Sequence, residues 1–96
     1  MRACQAEGVA KKYDSLFKFL CEVGDAPLVM TFAEIELLVG PLPASARRYQ
    51  AWWSNDGQGT QHVQALAWMN AGREVESVDR AGERVRFSAP SWRRGA

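Results

Sequence analysis

Two adjacent tryptophans, Trp52 and Trp53, constrain the fold of this chain more than any other feature. The segment 50–54 is rich in aromatic residues and is predicted to be extended. Neighbouring side chains of an extended segment point to opposite faces, so one indole is expected in the core and the other at or near the surface. A large, partly exposed aromatic that follows Arg47 and Arg48 fits a contact surface better than a catalytic centre.

Apolar periodicity predicts a helix near the start of the chain. Apolar side chains recur at helical spacing from Tyr13 to Val23 and would form one buried face. Asp14 is the predicted N-cap, because its carboxylate can accept from an orphan backbone amide of the first turn. Gly24 follows the last periodic residue and is expected to end the helix.

A short strand and a second helix are predicted next. The run 28–31 is β-prone, and Thr31-Phe32-Ala33-Glu34 has the spacing of a capping box, in which each end accepts from the other's backbone amide. That box marks the start of a helix over 32–39. Beyond the prolines that follow, Ser45 is the predicted cap of one further turn, which extends to Tyr49.

A third helix and a hairpin are predicted in the second half of the chain. The helix spans 61–71, and its outer face carries small or lightly polar side chains. These are Val63, Gln64, Ala67 and Asn70. Strands over 75–79 and 84–88 form the hairpin, and the turn between them offers Gly82 for a positive φ. The second strand alternates apolar residues with arginines, so one face packs inward and the other is basic.

This order of elements predicts an α+β domain of the winged-helix type. It would contain three helices, a short strand after the first helix, and a C-terminal β-hairpin that forms the wing. The short strand is free to join the hairpin as a third strand. Residues 11–88 are predicted to form this single domain, between a flexible N-terminal lead-in over 1–10 and a flexible basic tail over 89–96.

Composition limits the domain number and the predicted location of the protein, but it does not identify a partner. The chain has 96 residues and a formal net charge of +1, which gives one domain without a strong basic stripe. Cys4, Cys21 and the single histidine, His62, have no zinc-site spacing, so reduced thiols and a cytoplasmic location are predicted. No apolar run approaches the roughly 18 residues of a membrane span, so no membrane partner is expected.

Several short motifs run along the chain. They are Lys12-Tyr13-Asp14, Thr31-Phe32-Ala33-Glu34-Ile35, Ser45-Ala46-Arg47, Ala51-Trp52-Trp53-Ser54-Asn55, His62-Val63-Gln64-Ala65 with Trp68, and Ala71-Gly72 with Val78-Asp79. Together they resemble a family of small bacterial domains of unknown function, over about residues 12 to 88. The resemblance implies a bacterial or phage origin and a compact α+β domain, and it implies no particular activity.

Catalysis is not predicted. His62 is the only imidazole, and nothing in the sequence brings Cys4, Cys21 or a third orienting group close to it. Its position beside a polar loop instead favours a structural hydrogen bond. The sequence contains no phosphate-binding loop, dinucleotide fingerprint or metal motif, so no cofactor, metal or small-molecule substrate is expected.

Nucleic-acid binding, to DNA above all, is the first functional hypothesis. Arginines would contact phosphates, an indole would stack on a base or wedge beside a sugar, and amide side chains of the third helix would contact base edges. The candidate residues are Arg47, Arg48, Trp52, Trp53, Asn55, Gln64, Asn70, Arg80, Arg84 and Arg86.

The rival hypothesis is a protein-interaction module, such as an inhibitor or adaptor in host–phage conflict, in one version a homodimer. Exposed tryptophan and arginine are enriched at protein–protein hot spots, and the low net charge argues against tight duplex binding. The candidates also have structural explanations. Arginines can cover the tryptophan rings, those of the hairpin can pair with Glu74 and Glu76, and Gln64 and Asn70 can simply face water.

Overall fold

A mixed α+β domain is seen in the computed structural model, which describes residues 9–55 and 63–91. The helices of these residues are α1 (Asp14–Glu22), α2 (Phe32–Val39), α3 (Ala44–Arg48) and α4 (Ala65–Met69). The strands are β1 (Leu28–Thr31), β2 (Val75–Asp79) and β3 (Arg84–Phe87). They form one antiparallel sheet in the order β1-β3-β2, so the short strand joins the hairpin as a third strand, which the sequence analysis left open.

The first two helices lie where the periodicity predicts them. A 3-10 turn over Lys11–Tyr13 leads into α1, and Asp14 is the first helical residue rather than the cap, so the predicted N-cap is wrong. Gly24 follows the helix with φ of +121°, as expected of a terminating glycine. The capping box of α2 is present, because Glu34 N–H donates to Thr31 Oγ1 at 3.1 Å and Thr31 N–H donates to Glu34 Oε1 at 2.8 Å.

The link between α2 and α4 differs from the prediction. Pro43 occupies the N-cap position of α3, so the turn begins earlier than predicted and Ser45 does not cap it. Gln50–Trp53 forms a 3-10 turn, so the predicted extended segment is wrong. Adjacent side chains of a 3-10 turn diverge by about 120°, which still separates the indoles. Trp53 is 2% exposed, and Trp52 is half-buried.

The third predicted helix is shorter and more buried than expected. It appears as α4, and its predicted first residues, 61 and 62, lie outside the described residues. Gln64 and Ala67 are buried, so their prediction as outer-face residues is wrong. The reason is that α4 is covered on two sides. It packs against α1, and Gln64 Nε2 donates to the Trp52 carbonyl at 2.7 Å.

The sheet has one packed face and one open face. Its inward rows place β1 and β2 residues on either side of β3: Leu28, Phe87 and Val75, then Met30, Val85 and Val78. Its outward rows are Val29, Arg86 and Ser77, then Thr31, Arg84 and Asp79. The predicted alternation of β3 is therefore confirmed, although the strand ends at Phe87.

The hairpin turn uses a different residue from the one predicted. Glu83, and not Gly82, has the positive φ, of 55°. A Cβ at Gly82 would meet the carboxylate of Asp79, which would have to shift. That carboxylate accepts from Gly82 N–H at 2.9 Å, which closes the turn.

Stacked aromatic rings connect the helices with the sheet. Trp53 lies nearly parallel to Phe32 of α2, with ring centroids 5.0 Å apart, and to Trp68 of α4, at 6.0 Å. Trp68 then contacts Phe87 of β3 at 5.8 Å. Trp53 Nε1 donates to the Ala46 carbonyl at 2.8 Å, so its polar atom is satisfied although the ring is buried.

The structure bears on two further sequence-based expectations, one about the cysteines and one about membrane-spanning helices. Cys21 is disulfide-bonded, so the prediction of reduced thiols is wrong for this residue, and the cytoplasmic location loses that support. Cys4 and His62 lie outside the described residues. Across 9–55 and 63–91, each helix is too short or too polar to cross a bilayer.

Candidate interaction surfaces

Arg47 lies at the end of α3 between two carboxylates. Its Nε is 2.9 Å from Glu83 Oε2, and its Nη1 is 3.3 Å from Glu36 Oε2. The guanidinium also lies 5.6 Å from the centroid of the Phe32 ring. These contacts with Glu83 and Glu36 raise the pKa of Arg47. Arg47 therefore connects α3 with α2 and with the hairpin turn, and its positive charge is paired with two carboxylates of the same chain.

Glu36 completes this cluster from α2. Its Oε2 accepts from the backbone N–H of Leu42 at 2.8 Å, as well as from Arg47. The Leu42 N–H and then Arg47 lower the pKa of Glu36, because both favour the ionised form. The chain between α2 and α3 is thereby held against the side of α2.

The arginines of β3 lie on the open face of the sheet and are paired with acids. Arg86 Nε is 2.8 Å from Glu76 Oε1, and Arg84 Nε is 3.6 Å from Asp79 Oδ2. The expected pairing across the hairpin is confirmed for Arg86 and Glu76. These exposed pairs leave little net positive charge on the open face.

Arg80 connects the hairpin turn with α3. Its Nη1 donates to the Arg48 carbonyl at 2.6 Å. Arg48 is exposed at this point, and Tyr49, next to it, is 60% exposed. The structure thus brings Arg47, Arg48 and Arg80 together at one corner.

Asn55 pairs with the backbone of β2. Its Nδ2 donates to the Val75 carbonyl at 3.0 Å, and its Oδ1 accepts from Val75 N–H at 2.8 Å and from Trp68 Nε1 at 3.0 Å. The Asn55 amide thus makes, for Val75 alone, the pair of backbone hydrogen bonds that a neighbouring strand would make. Asn55 is therefore used within the fold, as is buried Gln64.

The predicted candidates do not form one surface. Trp53 and Gln64 lie in the interior, and Asn70 is half-buried at the end of α4. Trp52 is half-buried and packs edge-on against Tyr13 and Trp53. Asn55 lies at the β2 edge, and the remaining candidates, all arginines, divide between the α3 corner and the open face of the sheet.

Arg73 is a buried arginine that the sequence analysis did not identify. It is fully buried and donates to the carbonyls of Leu20, Ala26 and Ser88 at 3.2, 2.9 and 3.0 Å, and also to that of Gly24. Burial lowers the pKa of Arg73. An arginine between a helix end and a strand looks like an ordinary loop residue, so no sequence signal marks it.

An apolar groove beside β1 was also missed. It lies between α1, β1 and α2, has a volume of about 250 Å³, and is named here the edge groove. Its lining residues are Phe19, Leu28, Val29, Met30, Glu34, Leu37 and Leu38. Leu37 is 86% exposed and Val29 is 49% exposed, which is high for large apolar side chains that line one groove. The available signal was Phe19, which lies off the apolar stripe of its helix.

Comparison with known families gives a match over nearly the whole described domain. The model of a domain of unknown function, DUF7662, matches residues 13–90. The chain belongs to this family. The resemblance to a small family of unknown function is thereby confirmed, and the match spans every helix and strand from α1 to β3. No curated protein and no solved structure matches the chain.

Proposed function

We propose that this DUF7662 domain is a non-catalytic protein-interaction module, of the inhibitor or adaptor kind, that binds a protein partner through the edge groove. The proposal depends on one observation, the exposure of Leu37 and Val29 at an apolar groove on an otherwise well-packed domain. Burying such a patch against a partner would stabilise a complex, because apolar contact area is the main source of association free energy.

The state of the arginines supports a protein partner over a nucleic acid. Arg47, Arg84 and Arg86 each pair with a carboxylate of the same chain. Phosphate binding requires cations that are available to the phosphate, and each of these would first have to leave its partner. The amides of Asn55 and Gln64 are likewise engaged in the fold.

The chemistry of the described residues supports the non-catalytic part of the proposal. No cluster of three or more His, Cys, Asp or Glu that could hold a metal occurs among the residues described. Three carboxylates, those of Glu34, Glu36 and Asp79, accept from backbone amides in capping, loop and turn roles. Their arrangement suits structure rather than acid–base chemistry.

Affinity capture followed by reconstitution tests this function. The tagged full chain is used to capture proteins from a bacterial extract, and a captured protein is identified, purified and titrated against wild type and two variants. Leu37→Glu is expected to weaken binding at least tenfold, as at a hot spot, with little loss of stability because the side chain is exposed. Tyr49→Glu, which adds the same charge at the α3 corner, is the matched control. A partner with equal affinity for wild type and Leu37→Glu would overturn the proposal.

Nucleic-acid binding by a winged-helix-like domain is the second candidate. Two observations favour it: the strand order β1-β3-β2, in which the short strand joins the hairpin, and the exposed corner of Arg48, Tyr49 and Arg80. The corner would contact phosphates while the hairpin serves as the wing.

A gel shift on duplex and single-stranded DNA at several salt concentrations tests this candidate. Arg80→Ala is expected to weaken binding and to reduce the slope of log K against log salt by about one contact. Lys18→Ala removes a cation that pairs with Asp14 on α1 and serves as control. Absence of a shift at low salt would remove the candidate.

A further inference from the structure

We propose that the edge groove takes an extended segment of the partner protein, which adds to β1 as a further strand of the sheet. The segment would place an apolar side chain in the groove and a lysine or arginine at Glu34. This inference rests on the proposed protein-interaction function and specifies the chemistry of the partner.

The backbone of β1 offers hydrogen-bonding groups on its outer side. Phe32 N–H donates to the Glu83 carbonyl at 2.8 Å, and in an antiparallel pair only alternate residues bond to the same neighbour. Val29 and Thr31 therefore direct their backbone groups away from β3. Thr31 N–H is taken by Glu34, and the Thr31 C=O accepts the first hydrogen bond of α2 because Thr31 is its N-cap, which leaves Val29 N–H and Val29 C=O for an incoming strand. Within the sheet that the described residues form, β1 is an end strand.

The side chains beside this edge match the alternation of an added strand. A strand paired with β1 would direct every second side chain toward the helices, where Phe19, Leu37 and Leu38 line the groove beside Leu28. The intervening side chains would lie on the open face next to Val29. Backbone pairing would supply affinity and the groove would select an apolar residue, as in other strand-addition complexes.

Charge around the groove indicates a basic segment. Glu34 is the one charged residue among the groove's lining residues, and Glu22 and Asp25 are exposed at the end of α1 that leads into β1. A second copy of the chain fits less well. Two-fold pairing about Val29 would set the Glu34 end of one β1 beside the Asp25 end of the other, and like charges would meet.

Selection from a displayed library of linear random peptides on the immobilised full chain tests the inference. We expect enriched peptides with apolar residues at alternate positions and a lysine or arginine at a fixed offset. Val29→Pro removes the outward N–H and is expected to weaken these peptides at least tenfold. Glu34→Gln, which preserves the capping box, is expected to weaken them several-fold, with less salt dependence than wild type.

A synthetic copy of the enriched peptide, N-methylated at the position that donates to Val29 C=O, gives a measurement independent of the protein variants. Its binding should be lost while the unmethylated peptide binds. Peptides that require Leu37 but tolerate both Val29→Pro and N-methylation would overturn strand addition and leave the groove function standing. Enriched peptides that bind Leu37→Glu as tightly as wild type would instead count against the groove function itself. The inference would also be overturned by a homodimer that Val29→Pro dissociates. It would be overturned as well if selection on the wild-type chain enriched no more peptides than selection on Val29→Pro.

Discussion

The two edges of the sheet are treated differently by this chain. At the β2 edge, Asn55 pairs with both backbone groups of Val75, and a bulge between Val75 and Ser77 distorts the strand next to that contact. At the β1 edge, Val29 is half-exposed with its backbone directed outward, and an apolar groove lies beside it. One edge is thus closed at its first residue by a side chain, and the other is bordered by the most exposed large apolar residue of the described chain.

This difference shows what the tryptophan–asparagine motif does. Unpaired sheet edges promote aggregation, and proteins commonly block them with bulges, charges or covering groups. Trp53 anchors the turn in the core, and Asn55, two residues later, reaches both the β2 edge and the Nε1 of Trp68. The tryptophan–asparagine motif therefore fixes the turn and pairs the first residue of the β2 edge, and the proposed partner would occupy the β1 edge.

The largest expected effect comes from removing the anchor that both edges share. Arg73 donates to Ala26, just before β1, and to Ser88, just after β3, and it lies just before β2. Arg73→Met should leave the buried carbonyls of Leu20 and Ser88 without this donor and cost about 3 kcal/mol or more of unfolding free energy, measured by urea denaturation. Arg73→Lys keeps a cationic donor, so its unfolding free energy should lie between those of wild type and Arg73→Met. A loss below about 1 kcal/mol for Arg73→Met would contradict the assignment of Arg73 as an anchor.

Opening the closed edge should have the next largest effect. Asn55→Ala removes the partner of Val75 and of Trp68 Nε1, for an expected loss of about 1–3 kcal/mol. It should also speed hydrogen exchange at the Val75 amide and promote self-association, which sedimentation would detect. Asn55→Asp keeps the acceptor oxygen and should be milder. Unchanged exchange at Val75 would show that the β2 edge is closed by something other than Asn55.

Local signals in the sequence were enough to predict most of the elements. The capping box of Thr31 and Glu34, the apolar stripe of α1 and the alternation of β3 each depend on neighbours within a few residues. Those patterns act through local backbone geometry, so they can be identified without knowing the rest of the fold. The 3-10 turn over Gln50–Trp53 was missed because tertiary contacts, above all those of Trp53, override the extended preference of an aromatic run.

The candidate surfaces were harder to predict, since they depend on residues far apart in sequence. Arg47 looked like a phosphate ligand until the fold placed Glu83, 36 residues away, at its Nε. The edge groove combines α1, β1 and α2, and only their packing shows that Leu37 has no cover among the described residues. The sequence therefore identifies which residues are unusual, while contacts between distant residues decide which of them remain available to bind a partner.

Val29→Pro should have a smaller effect on the free protein than either change above. Because the Val29 N–H points away from β3, proline removes no bond of the ladder, and edge strands tolerate it. The expected loss of unfolding free energy is below about 1 kcal/mol. Met30→Pro, one residue on, removes a bond to β3 and should cost about 3 kcal/mol by the same urea measurement. Similar losses for the two variants would show that the β1 edge is not open at Val29.

The smallest effect is expected at Glu36, which lies away from both edges and holds α2 to α3. Its pKa is lowered in the folded state, first by the Leu42 N–H and then by Arg47. A lowered folded-state pKa stabilises the fold above the unfolded value of about 4.3 and loses that contribution as pH falls through the folded value. Glu36→Gln should therefore be less stable than wild type at pH 7, and the difference should shrink as urea denaturation is repeated toward pH 3. Glu22→Gln, an exposed change on α1, controls for loss of a surface carboxylate. A difference for Glu36→Gln that stays constant with pH would contradict a stabilising role of the ionised carboxylate, because that contribution is lost when the carboxylate is protonated.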